Sequence, residues 1–313
     1  MTLDQYLAKV LKRSESLYER RLGSHRAVIR KAYKEALDGI RLELAKLYEK
    51  QGDVISLNDA KKYGRLESLE HQIEQKLKEA ELTTKRVTRT AIKDSYKEAY
   101  YNAGYAYESG TGMRFGFASL PEAKIKAIVL NPLDRVTWIA RTTSRGKQIN
   151  ATIRSKIAQG LAQGKGYQFI AADIKTTIQT NVGDLFKLVR TETHRAHQTA
   201  GIEAYQRLQN SIKQSGLDIK PIRFWISTLD SKTRDTHQSA DGQEEDKQGM
   251  FHVGGVSMPA PGLSGVAKED INCRCTVGTR IDGLSEQKRL DNRSKTVGVW
   301  DTYKDWKKDK GIK

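Results

Sequence analysis

The chain has 313 residues, a formal net charge of +17 and a mean hydropathy of −0.65. Its 37% of hydrophobic residues allow a lean core, but no run approaches the roughly 20 apolar residues that cross a bilayer. Two cysteines exclude a disulfide-rich scaffold, and the length suits two domains or one domain with a long helical extension.

The opening Met1-Thr2-Leu3-Asp4-Gln5-Tyr6 has neither a basic region nor an apolar one, which argues against a secretory signal. The first hundred residues read as helix. Leu3, Leu7, Val10 and Leu11 share one face, as do Leu37, Ile40, Leu44 and Leu47, and again Leu66, Leu69, Ile73 and Leu77. Gly52-Asp53-Val54 reads as a stop, and Ser56 to Asp59 as a new N-cap. A third helix is expected from about Thr84 to Tyr107. Its tyrosines, Tyr96, Tyr100, Tyr101, Tyr105 and Tyr107, either pack at helical spacing or stack on nucleotides. Ser109-Gly110-Thr111-Gly112 ends it, Met113 to Phe117 is a short strand or loop, and Pro121 suits an early helical position.

Three helices are expected between Arg135 and Leu208, with turns at Thr142 to Gly146 and Gln163 to Gly166, and with the last helix starting near Val182. The run Gly160 to Gly166 hints at a phosphate loop. It lacks the Gly-Lys-Ser/Thr ending and a preceding strand, so it reads as a turn. A boundary falls near 216. Beyond it the period changes: Ile222, Phe224 and Ile226 alternate with Trp225 as a strand. Thr233 to Ser239 suits a helical turn capped by Ser231, Asp241-Gly242 a turn, and Phe251 to Val253 a short strand. Cys273, Cys275, Val277, Thr279 and Ile281 share one face of a further strand. In the tail, Trp300, Tyr303 and Trp306 recur every three residues, as in a short amphipathic helix docked on a neighbour or a disordered end.

The fold class is therefore α+β: a long, mainly helical N-terminal region and a small α+β C-terminal module. The segments are 1–137, then 138–280 (helical to 216, mixed from 217), then a basic tail, 281–313. Charge divides along the same line. Residues 1–216 carry a net +15, residues 217–279 a net −2 and residues 280–313 a net +4. A polyanion partner, most often nucleic acid, is thus expected on the helices. Arg141, Arg145, Lys147, Arg154 and Lys156 are the candidate contacts; the alternative is a solvated helix face.

Three constellations bear on chemistry. Cys273 and Cys275, two apart on a strand, would stand side by side. Either they ligate a metal such as zinc with His237 and His252, or they are buried reduced thiols acting as small apolar residues. Arg190, His194 and His197 share a helix face that is either a ligand or catalytic cluster or a polar face docked on another element. Asp230, Thr233, Arg234, His237, Asp241 and Gly242 form a polar group that either supplies an acid/base pair or merely caps and turns the chain.

The order of these features resembles the phage Mu F-like head-morphogenesis domain. The run Val189-Arg190-Thr191-Glu192 is followed by Asp230-x3-Arg234-x2-His237, by Asp241-Gly242 and by Pro259-Ala-Pro. Asn272-Cys273-Arg274-Cys275 closes the series. The resemblance covers about 140–280. It implies a structural, non-enzymatic minor head protein of the virion, made in the host cytoplasm. Its implied partners are the portal protein, other head proteins and double-stranded DNA, with no membrane span. It carries the family's metal-linked positions onto His237, Cys273 and Cys275, and its remaining motif onto Arg190, Glu192, Asp230, Arg234, Asp241, Gly242, Asn272 and Arg274. Two features depart from the pattern. Family members often have His-Pro before Asn-Cys-Arg-Cys, where Asp270-Ile271 stands here, and some carry C-x2-C where Arg234 to His237 sits. The alternative function is an enzyme, a nuclease or transferase, built on the polar group around His237.

Overall fold

The computed structural model describes residues 3–49, 55–130, 136–282 and 302–312. Three long helices dominate: α1 (Leu3–Glu49), α3 (Arg65–Thr111) and α6 (Tyr167–Ser215). Between them lie short α2 (Leu57–Lys61), α4 (Glu122–Leu130) and α5 (Trp138–Ala162). Ser56 caps α2 as expected, its hydroxyl accepting from the Asp59 amide. The stop expected at Gly52 to Val54 lies outside the described residues.

The helices run further than the sequence suggests. No break falls between the expected second and third helices, because α3 passes through Thr84 and Thr88. Their hydroxyls donate to the Ala80 and Thr84 carbonyls four residues back, so they need no outside partner. The turn expected at Thr142 to Gly146 is likewise helical. Thr142 and Thr143 bond back to Trp138 and Ile139, and Gly146 is there for space, since a Cβ would meet Glu81 Oε2 at 2.5 Å. Between Trp138 and Ser215 there are accordingly two helices, and the second begins at Tyr167, not Val182. The real turn is Gln163 to Gly166, where Gly164 takes φ +65° and the Lys165 amide reaches back to the Gly160 carbonyl. Met113 to Phe117 is loop.

Two compact units emerge. The second comprises residues 22–90 and 132–189. Its core takes Ile40, Leu44 and Ile73 from the expected apolar stripes and adds Ile153, Ile157 and Ile174, all wholly buried. Tyr48 adds a hydrogen bond to the Lys165 carbonyl at 2.8 Å.

The first unit comprises residues 1–21, 91–131 and 190–313. Gly216, at φ +67°, ends α6 where the sequence period changes, inside this unit. Then come β1 (Lys220–Ile226), α7 (Asp235–Gln238), β2 (Phe251–Val253), β3 (Val256–Met258), α8 (Ala267–Asp270) and β4 (Thr276–Asp282). β1 pairs antiparallel with β4, and β2 with β3. The molecule is α+β, and among the described residues the four strands lie in this module. Trp225, Ala240, Phe251, Val253, Met258 and both cysteines form its core. Helix α9 (Tyr303–Asp309) packs Trp306 beside Tyr105 and Phe117, and its indole donates to the buried Glu108 carboxylate at 2.7 Å. Trp300 lies outside the described residues. Tyr96, Tyr101 and Tyr107 are buried, so packing occupies them.

Candidate metal centre

Two details of the module differ from the strand reading. α7 begins after Arg234, whose side chain makes no capping bond, so Ser231 is not its cap. β4 begins at Thr276, so both cysteines precede it. Asn272 adopts φ +59°, a left-handed conformation that asparagine tolerates, and this turns the chain out of extended geometry. The thiols nevertheless converge. His237 Nδ1 lies 3.6 Å from Cys273 Sγ and 3.4 Å from Cys275 Sγ, and all three residues are buried. Their ligand atoms lie within 4.8 Å of one another, and no other such group of His, Cys, Asp or Glu occurs among the described residues.

Neighbouring elements fix this corner. The Asn272 amide donates to Thr191 Oγ1 of α6 at 3.0 Å. Thr228 Oγ1 donates to the Arg274 carbonyl at 2.8 Å. The Trp225 ring meets His237 edge-on, with centroids 5.5 Å apart, and its indole N–H donates to Ser227 at 3.0 Å. On the far side of the imidazole, Nε2 lies 2.9 Å from Glu269 Oε2, and neither side chain is more than 1% exposed. The two thiols are electrostatically unlike. A hydrogen bond from Cys273 lowers the Cys275 pKa, with help from His237 and against burial. The same pairing, with burial, pushes Cys273 well up.

The donor set fits zinc. Bonds of about 2.0–2.1 Å to nitrogen and about 2.3 Å to sulfur, at the tetrahedral angle, separate N and S ligands by about 3.5 Å. The observed separations bracket that figure. A nitrogen and two sulfurs suit zinc over magnesium or calcium, which take oxygen.

The structure keeps the fourth proposed ligand elsewhere. His252 is exposed on β2, with Nε2 at 2.8 Å from Asp246 Oδ2 and Nδ1 at 2.9 Å from Ser257 Oγ. Asp270, where the resemblance leads to an expectation of histidine, turns away as well. Its carboxylate accepts from the Ser264 amide and hydroxyl and the Gly265 amide, closing the loop before α8.

The remaining motif residues form braces. Arg190 grips Glu19 of α1 through two bonds of 2.6 and 2.7 Å. Glu192 is buried, with Arg195 at 3.6 Å. Arg274 makes two bonds to Asp230, at 2.5 and 2.6 Å, which hold that carboxyl well below the usual range. Arg234 donates to the Ile271 carbonyl at 2.6 Å. Asp241 accepts from the Ser227 amide, and Gly242 takes φ +77°. The structure gives His194 and His197 different surroundings. His197 faces Glu15 at 3.2 Å. Burial works to raise the Glu15 carboxyl, but His197 and Thr276 outweigh it and hold it low. His194 is buried with Nε2 unpartnered, and burial drives its pKa down to about 3.

Sequence reading missed Glu269, Glu19 and Arg223. Arg223 is buried on β1, holding Glu245 and the Pro259 and Gly249 carbonyls. Glu269 sits in the run Lys268-Glu269-Asp270, where no spacing distinguishes the two acids.

Of the five candidate polyanion contacts on α5, three have acidic neighbours. Arg145 lies 3.4 Å from Asp184, Lys156 3.9 Å from Asp173, and Arg154 pairs with Glu70. Lys147 is exposed, and Arg141 is half-buried with a buried Nε.

Residues 151–278 match the family described as Phage Mu protein F like protein. The chain is 30% identical to minor head protein GP7 of Bacillus phage SPP1 over 318 aligned positions, covering 98% of this chain and 96% of that protein. It is 29% identical, over 89% of its length, to a protein of Enterococcus faecalis named NAD(+)--arginine ADP-ribosyltransferase EFV, and spans only 56% of that protein. No solved structure matches significantly. An alignment with a minor head protein that runs nearly end to end, together with the domain match, establishes that the chain belongs to the phage Mu F-like minor head protein family.

Proposed function

We propose that the protein is a minor structural component of a tailed-phage head, made in the host cytoplasm and built into the virion. It acts in head assembly at the portal, with other head proteins as partners. The observation that carries this reading is the likeness to a minor head protein over almost the whole of both chains. Among the described residues no helix is long and apolar enough to cross a membrane. The test is co-expression with the other head proteins of the same phage, followed by sedimentation of assembled heads. Co-sedimentation through the portal vertex is expected; free protein in every fraction overturns the reading.

The basic helices contact packaged double-stranded DNA. Because Arg145, Arg154 and Lys156 have acids beside them, other cations contribute more, including Lys147 and the exposed Lys9, Lys12 and Arg13 of α1. Such contacts are sequence-independent, and log affinity falls with log salt by roughly 0.9 per phosphate neutralised. Binding of random duplex DNA measured between low and physiological salt tests this. Absent or salt-insensitive binding assigns the basic surface to an acidic protein partner.

The Cys273, Cys275 and His237 corner holds one zinc ion, which cross-links the β4 entry to α7. The distances and the nitrogen–sulfur donor set support this reading. Metal analysis of the purified protein beside Cys273→Ser tests it, with one zinc per chain expected in the parent and none in the variant.

A transferase reading draws on the name of the Enterococcus protein. Much of that protein lies outside the match, and the polar residues around His237 here are engaged in structural contacts. Incubation with NAD+ and an arginine acceptor is expected to release no nicotinamide; release would reinstate the enzyme.

A further inference from the structure

We infer that Glu269 is the positioning residue of this centre, selecting which nitrogen of His237 faces the two thiols. The inference rests on reading the Cys/His corner as a metal centre. An imidazole can present either nitrogen as the lone pair, and the tautomer follows from the hydrogen bond made by the other. An ionised carboxylate only accepts. Glu269 Oε2, at 2.9 Å from Nε2, therefore requires the proton on Nε2 and leaves the Nδ1 lone pair directed between Cys273 Sγ and Cys275 Sγ. A carboxylate behind a ligating histidine also raises the basicity of the ring and fixes its plane.

The site is built for this carboxylate. Glu269 is 1% exposed, on the short helix α8, whose chain turns directly into Asn272-Cys273. Thr236 Oγ1, next to His237 on α7, donates to the same Oε2 at 3.4 Å. The hairpin turn between β2 and β3 closes over the other oxygen. A Cβ at Gly254 would lie 2.5 Å from Oε1, and φ of +62° there favours glycine. Oε1 makes no hydrogen bond, and its nearest charged neighbour is the Lys268 ammonium at 3.6 Å. One oxygen is thus committed to the histidine, and the backbone leaves no room for the carboxylate to turn away. Burying a carboxylate with one oxygen lacking a hydrogen bond opposes folding, which fits a residue whose role is to orient the histidine.

Glu269→Gln keeps the volume but removes the charge, and its amide can present either oxygen or NH2 to Nε2. Zinc affinity of the full chain, measured by chelator competition, is expected to fall about 10–100-fold. The cobalt-substituted variant should keep its thiolate-to-metal absorption band, because both cysteines remain. Equal zinc affinity in parent and variant overturns the positioning role and leaves the metal reading standing. A parent that binds no zinc overturns both. A measurement on the parent needs no variant: selective 15N-histidine labelling of the zinc-loaded protein. A metal bond to Nδ1 of His237 with the proton on Nε2 is expected, and a metal bond to Nε2 overturns the inference even if Glu269→Gln does not fold.

Discussion

Arg154 on α5 pairs with Glu70 while 47% of its side chain faces water; Arg223 on β1 pairs with Glu245 at 7% and 11% exposure. These two pairs mark a difference between helix α5 and the core of the module. Along the helices, many ion pairs are local and solvated: Lys31 with Glu35, Lys62 with Asp59, Lys187 with Asp184. In the module, Arg223, His237, Glu269 and Asp270 are buried, each held by chosen partners. Solvated pairs add little stability and leave a surface free to change its net charge. Buried polar groups fix one arrangement and are expensive to disrupt. The difference separates a region suited to broad electrostatic contact from one suited to holding a single shape.

The largest expected effects break the module side of this contrast. Arg223→Met removes the guanidinium facing the largely enclosed Glu245 carboxylate, leaving it the Tyr205 hydroxyl and the backbone amide of residue 223, and unfolding by urea should show a loss of about 3 kcal/mol. A loss below about 1 kcal/mol would place this pair with the solvated ones. Trp225→Ala removes the ring against which His237 and Phe251 pack, with a similar expected loss of about 3–5 kcal/mol. On the zinc reading proposed above, bound metal should fall with it.

Acid sharpens the contrast. His194 is neutral in the fold, with a pKa near 3 against 6.5 for the free side chain. The unfolded chain gains a proton below about 6.5 that the folded chain refuses, so stability is full above that pH and falls as pH drops towards 3. The slope should approach about 1.4 kcal/mol per pH unit from this group alone. His194→Gln should flatten the titration between pH 6 and 4; an unchanged slope assigns acid sensitivity to other groups.

The smallest effects belong to the helices. Arg154→Ala should cost under about 1 kcal/mol of stability. If it costs several, the helical ion pairs are structural and the contrast fails. Lys147→Ala should leave stability unchanged and lower the salt slope of DNA binding by about 0.9.

Much of the site could be read from the sequence. The motif names His237, Cys273 and Cys275 together, and the structure brings their ligand atoms within 4.8 Å of one another, though not by strand alternation, since both cysteines precede β4. The assignment of His252 as a further ligand was not sound: its ring is spent on Asp246 and Ser257 across the β2–β3 hairpin. Threonine and glycine at Thr142 to Gly146 read locally as a turn. They remain helical because the threonines satisfy themselves within the helix and the glycine makes room for Glu81.

By itself the sequence determined the α+β division at Gly216, the apolar stripes of the helices and the placement of positive charge on them. These follow from periodicity, glycine geometry and composition, which act over a few residues. Tertiary structure alone decided which acid of Lys268-Glu269-Asp270 faces His237, which carboxylates neutralise α5, and which histidine stays uncharged. Those outcomes depend on contacts between residues far apart in the chain, Glu269 with His237 and Glu19 with Arg190, and on the burial that makes each contact matter.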